Sequence, residues 1–241
     1  MSNSSLEPLV NLQHSVVVLA SDPASLNFTL GVKTFPQGHF MKAALVVILL
    51  LFSGYALSEE QSVFSNPTAG FTVTKPVGWH YVTAEQNLNN LKAAQLGDKE
   101  FQAAMVKYAT TPMVAMTKHK EPYDDVNPSF KVNIKPLGQF KGKDPKEIIG
   151  VMLPQLQKFF KDFKLVQPPT NVSVTGISSA YTRINYTMEV AGIGALPITS
   201  ELWIIPRGDY FFLVGAGTRQ DEKTGSRKEI ESIINTIVIA Q

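Results

Sequence analysis

From Ala180 to Val190 the side chains alternate, with Ala180, Thr182, Ile184, Tyr186, Met188 and Val190 on one side and Tyr181, Arg183, Asn185, Thr187 and Glu189 on the other. A period of two is the mark of a strand with one covered face. Strands of the same kind are predicted over Val172 to Ile177, Leu196 to Ile205 and Tyr210 to Thr218. Their connections contain Gly and are too short for a crossover, so the four strands form an antiparallel meander. Upstream, Gly70 to Thr74 alternates, Pro76-Val77-Gly78-Trp79 reads as a turn, and His80 to Val82 reads as the returning strand of a hairpin. Pro112 to Lys120 and Ser129 to Leu137 are two more strands. In the second, Phe130, Val132 and Ile134 share one face, and Ser129, Lys131, Asn133 and Lys135 the other.

Elsewhere the period lengthens to that of a helix. Leu88 and Leu91, then Phe101, Ala104, Met105 and Tyr108 beyond a break at Gly97, predict two short helices. Asp144-Pro145-Lys146-Glu147 combines an N-cap, a proline at the first helical position and a Glu at the third. The stripe Ile148, Ile149, Met152, Leu156, Phe159, Phe160 and Phe163 follows, with a kink or restart expected at Pro154, whose ring presses on the Gly150 carbonyl. Ser226-Arg227-Lys228-Glu229 is a capping box that opens a last helix burying Ile230, Ile233, Ile234 and Ile237. These elements make an α+β protein, a curved antiparallel sheet covered by helices.

The segment Met41 to Ser58 has a different character. Lys42 precedes an apolar run from Ala43 to Phe52, and Ala56 and Ser58 are small residues two apart, the three-part pattern of a secretory signal cleaved after Ser58. The run meets Ser58, Glu59 and Glu60 short of the roughly 20 apolar residues that cross a bilayer; an uncleaved anchor is the competing reading. Residues 1–40 show no defensible period and read as translated leader or a disordered arm. Gln37-Gly38 can be encoded with an AAGG core a few nucleotides before Met41, which makes Met41 the expected start. Residues 59–241 then form a single domain of ordinary size.

Composition narrows the chemistry. There are 22 basic and 20 acidic residues and no cysteine. Near neutrality argues against a nucleic-acid binder. Absence of Cys excludes disulfides, thiol catalysis, thiolate metal sites and lipoprotein anchoring, so a soluble periplasmic or secreted product is expected.

The Gly-Phe-Thr-Val strand at Gly70 to Val73, the Pro-x-Gly-Trp turn at Pro76 to Trp79, the helical middle, the long meander and the closing Ile233-Ile234-Asn235-Thr236-Ile237 together resemble the PsbP/DcrB-like superfamily. The resemblance covers most of Phe64 to Ile239. It implies an α/β/α sandwich and a noncatalytic binding or assembly role, without a cofactor and without naming a partner.

Candidate sites are few. No nucleophile-elbow, dinucleotide or phosphate-loop motif occurs. His80 and His119, with Glu121, Asp124 or Asp125, are the residues from which a dispersed hydrolytic site or a weak metal site would be built. Lys131, Lys135, Lys141 and Lys143 are candidates for a patch that meets an acidic envelope protein or an anionic lipid surface. Trp79 and Trp203 are candidates for an aromatic pocket, against the simpler reading that both pack in the core. Arg207-Gly208-Asp209 spells an adhesive tripeptide that a turn between two strands explains without a receptor. Oligomeric state is not legible.

Overall fold

The computed structural model describes residues 62–95, 103, 106, 111–190, 192–221 and 226–240. The leader, the predicted signal with Ser58, and Phe101, Ala104, Met105 and Tyr108 of the expected second helix lie outside the described residues.

The order of elements is β1 (Ser62–Asn66), β2 (Phe71–Lys75), β3 (His80–Tyr81), α1 (Ala84–Ala93), β4 (Ala94–Gln95), β5 (Val114–Thr117), β6 (Ser129–Pro136), α2 (Pro145–Phe159), β7 (Lys161–Val174), β8 (Ile177–Val190), β9 (Gly194–Arg207), β10 (Tyr210–Arg219), α3 (Ser226–Asn235) and β11 (Val238–Ile239). The large sheet runs β3-β5-β6-β10-β9-β8, with β4 and β7 both pairing with β8. A separate sheet has the order β1-β2-β11. The meander β7-β8-β9-β10 is antiparallel throughout, as its short turns require.

Two apolar clusters lie on opposite faces of the large sheet. One gathers Ile184, Tyr186, Met188, Ile198, Leu202, Ile204, Phe211 and Leu213 with Ile148, Ile149, Met152 and Leu156 of α2. The other joins Phe130, Val132, Trp203, Ile205, Phe212 and Val214 to Phe71 and Val73 of β2 and to Ile230, Ile233 and Ile237 beside α3. Successive residues of β10 thus feed different cores, because side chains alternate across a strand. The layers are helix, sheet, and then α3 with the small sheet.

Local chemistry explains most boundaries. Asp144 accepts from the Lys146 amide at 2.9 Å while Glu147 reaches back to the Asp144 amide, so the predicted capping box starts α2. The helix runs unbroken through Pro154 and ends at Phe159, so no restart occurs. Phe160 is its C-cap and stacks on Tyr186 at 4.1 Å, and Phe163 belongs to β7 rather than to the helical stripe. A second correction concerns the hairpin. β2 pairs with β1 and β11, whereas β3 pairs with β5, so Pro76 to Trp79 passes the chain from one sheet to the other. The hairpin lies one turn earlier, around Pro67 to Gly70. Gly70 has φ of 61°, and a Cβ there would stand 2.5 Å from the Arg207 guanidinium, so both the turn and the close approach require glycine.

Candidate functional site

The turn that leaves β2 is clamped by polar groups. Lys75 Nζ donates to the carbonyls of Trp79 at 2.7 Å and Pro76 at 3.2 Å, which fixes the loop from inside. Trp79 Nε1 donates to Glu229 Oε2 at 3.2 Å, and Lys118 Nζ donates to Glu229 Oε1 at 2.9 Å. The indole is therefore a buried packing group with its one donor satisfied. Trp203 is buried in the same cluster, 5.0 Å from the Tyr181 ring. The hydroxyl of Tyr181 donates to Glu201, which also accepts from Arg227 Nε at 3.2 Å. Burial, then the Glu201 carboxylate, pushes the Tyr181 phenol up. Both tryptophans are buried members of one apolar cluster.

Beyond Trp79, His80, Tyr81, Val82 and Gln86 face Thr117, Lys120 and Glu121 across a half-open cavity of about 220 Å³. Its wall is rigid where α1 begins: Thr83 Oγ1 accepts from the Gln86 amide at 3.1 Å, and Gln86 Oε1 accepts from the Thr83 amide at 2.9 Å. The opposite wall is held by Asn127, fully buried, whose Nδ2 donates to the His119 carbonyl at 2.9 Å and to Glu121 Oε1 at 2.8 Å.

Of the residues named for a hydrolytic or metal site, His80 and Glu121 share this cavity, while Asp124 and Asp125 do not line it. His80 lines this cavity, whereas His119 stacks on Tyr123 at 4.4 Å. Burial, then the Lys118 ammonium, lowers the His119 imidazole below its ordinary range, which favours the neutral ring. Asp125 pairs with Arg219, which also holds Asp221 at 3.2 Å, and Asp124 is exposed. Among the described residues no group of three or more His, Asp or Glu is placed to hold a metal ion.

The lysine patch is also corrected. Lys131 and Lys135 are 2% and 7% exposed, on the helix-covered face of β6, and Lys131 Nζ donates to Asn87 Oδ1 of α1 at 3.1 Å. Burial lowers both ammonium groups to about 8. Lys141 and Lys143 are exposed and bound locally, Lys141 to Asp209 at 2.6 Å and Lys143 to Glu147 at 3.6 Å. Two lysines inside and two outside make no common surface. Arg207, for its part, donates to the carbonyls of Ala69 at 2.6 Å and Ala240 at 2.9 Å, so it ties the small sheet to the end of β9.

What the sequence did not single out is the outward side of the small sheet. Val63 and Val238 are 63% and 56% exposed there, beside Ser65, Thr72 and Thr74. Tyr81 is joined to that corner by a 3.3 Å bond between its hydroxyl and Ser62 Oγ, and Val77 is exposed nearby in sequence. The signal was present as the uncharged run Ser62 to Asn66.

No family model and no curated protein matches the chain. Among solved structures, LpqN of Mycobacterium tuberculosis, described as involved in cell envelope biogenesis, is similar over 76% of this chain and 91% of its own, with 11% identity and a TM-score of 0.45. PsbP of the cyanobacterium Synechocystis is similar over 78% of this chain and 96% of its own, with 11% identity and a TM-score of 0.44. A protein of Bacteroides thetaiotaomicron is similar over 76% of this chain at 16% identity and a TM-score of 0.42, and there the chain spans 49% of the other's length. With TM-scores below 0.5 these likenesses carry no argument, and the α+β arrangement rests on the strand order and helices described above.

Proposed function

We propose that the chain is a noncatalytic binding or assembly module that works after export, in the bacterial envelope, and docks a partner protein on the outer side of the three-stranded sheet. The observation that carries this reading is the uncharged surface around Val63 and Val238, where large apolar groups stand open to water at a cost that docking would recover. A protein partner is favoured over an anionic lipid surface because Lys131 and Lys135 are inside the fold. Export rests on the pattern from Met41 to Ser58. Among the described residues, no helix is long and apolar enough to cross a membrane.

The test is fractionation of the native cells with intact-mass measurement, followed by crosslinking in living cells from a photoreactive residue at Val238. An envelope species that begins at Glu59 and crosslinks to another protein supports the reading. The control is the same residue at Val151, exposed on α2 on the other side of the large sheet. Equal yields from the two positions would remove the surface from the proposal, and a cytoplasmic species that retains residues 1–40 would remove export.

A further inference from the structure

The two long-sheet and small-sheet edges are protected differently. β7, along the edge of the large sheet, carries Lys161, Lys164, Pro168 and Pro169 and three shifts of register against β8. Lysines, prolines and bulges are the devices by which an edge strand refuses a further strand. β1 has none of them: Ser62-Val63-Phe64-Ser65-Asn66 has no charge and no proline, and pairs with β2 without a shift.

The orientation of its backbone follows from the neighbouring ladder. The Ala240 amide donates to the Gly70 carbonyl at 2.8 Å, and the Thr74 amide to Thr236 Oγ1 at 3.0 Å, so residues 70, 72 and 74 turn their backbone groups toward β11. By alternation Phe71, Val73 and Lys75 turn theirs toward β1, where they meet Asn66, Phe64 and Ser62. Val63 and Ser65 therefore aim N–H and C=O away from the sheet, and among the described residues no strand lies on that side.

This set is symmetric about Phe64. We infer that β1 pairs antiparallel with β1 of a second copy, Val63 opposite the second copy's Ser65 and Ser65 opposite its Val63, so that two small sheets join into one platform across a twofold axis at Phe64. Backbone groups in a row select a strand as occupant. The second copy is favoured because the same donor and acceptor pattern meets itself under twofold rotation, as an isologous contact requires. It is also favoured electrostatically: neither β1 nor the outward side chains Val63, Ser65, Thr72, Thr74 and Val238 carry charge, so self-docking brings no like charges together there. Phe64, half-buried against the inner core, would meet its symmetry mate at the close non-hydrogen-bonded position, where aromatic pairs add most. The edge is a feature separate from the outer face used above, and each can fail alone.

The experiment is sedimentation equilibrium on the protein recovered from its own cells, wild type against Ser65→Pro and Val63→Lys. Proline at 65 removes only an outward N–H and spares the ladder to β2. Dimers in the wild type, at least roughly tenfold weaker in Ser65→Pro with unchanged circular dichroism, are expected. Should Ser65→Pro fail to fold, Val63→Lys decides: its dimer is weaker and regains strength with salt, as like charges across the axis are screened. Hydrogen exchange gives an independent reading, with Val63 and Ser65 amides protected only at concentrations where dimer forms. A wild type that stays monomeric up to about 100 μM, a dimer indifferent to both substitutions, or a foreign strand in place of the second copy would each overturn the inference.

Discussion

The two faces of the large sheet handle charge in opposite ways. Beneath α3 and the small sheet, cations meet carboxylates: Arg227 with Glu201 at 3.2 Å, and Lys118 with Glu229 at 2.9 Å. Beneath α1 and α2, Lys131 and Lys135 are enclosed, and the dominant influence on each is loss of water, which lowers both to about 8. Basic side chains are thus paired with carboxylates on one side of the sheet and carry a desolvation cost on the other. β6 thus places two lysines on a covered face, and this part of that face changes charge state near pH 8.

Core truncation should have the largest effect and tests whether both faces are packed at all. Phe212 and Leu213 are consecutive, fully buried, and belong to opposite clusters. Phe212→Ala and Leu213→Ala should each cost about 3 to 4 kcal/mol in urea unfolding. A negligible cost for one of them would show that its face is no core and would end the comparison.

Next in size is the pH dependence due to Lys131. Its folded pKa, about 8, lies below the ordinary 10.5, so below pH 8 both folded and unfolded chains hold the proton and the full burial cost is present. Between these values only the unfolded chain keeps the proton, so stability rises with pH, by up to about 3 kcal/mol across the window. Lys131→Met should remove about half of the total rise when unfolding is followed from pH 7 to 11, with Lys135, lowered in the same way, supplying the rest. A rise of equal slope in the variant would mean that Lys131 is not a titrating group.

The smallest effect belongs to the paired face. Glu201→Gln leaves Arg227 and Tyr181 with a weaker acceptor and should cost about 2 kcal/mol, since the carboxylate is buried while Arg227 keeps some contact with water. Added salt should change that cost little. A cost that vanishes in salt would mark the pair as ordinary surface.

Much of the fold was legible before any coordinates. The alternation from Ala180 to Val190 is the burial pattern of β8, and the Asp144 capping box opens α2 where the residues say it should. Short-range signals of this kind are decided by neighbours in the chain. The turn at Pro76 to Trp79 shows their limit: its residues specify a change of direction and are silent about whether the next strand returns to β2 or joins β5. Lys131 and Lys135 show another. Polar alternation on β6 is what a half-exposed strand has, but this central strand is covered on both faces from Ser129 to Asn133, and beyond them Ile134 is exposed while Lys135 is buried. In the hydrolytic set, local sequence could not show that Asp125 pairs with Arg219, a residue 94 positions away, while His80 and Glu121 line one cavity.

By itself, the sequence determined the element types, the meander, the helix starts, the absence of cysteine chemistry and the uncharged character of β1, because propensity, capping and composition act over a few residues. Only the tertiary structure decided which strands share a sheet, which lysines lose their water and which backbone edge faces outward. Those outcomes depend on what packs across a strand, and the partners come from parts of the chain whose separation no local pattern records.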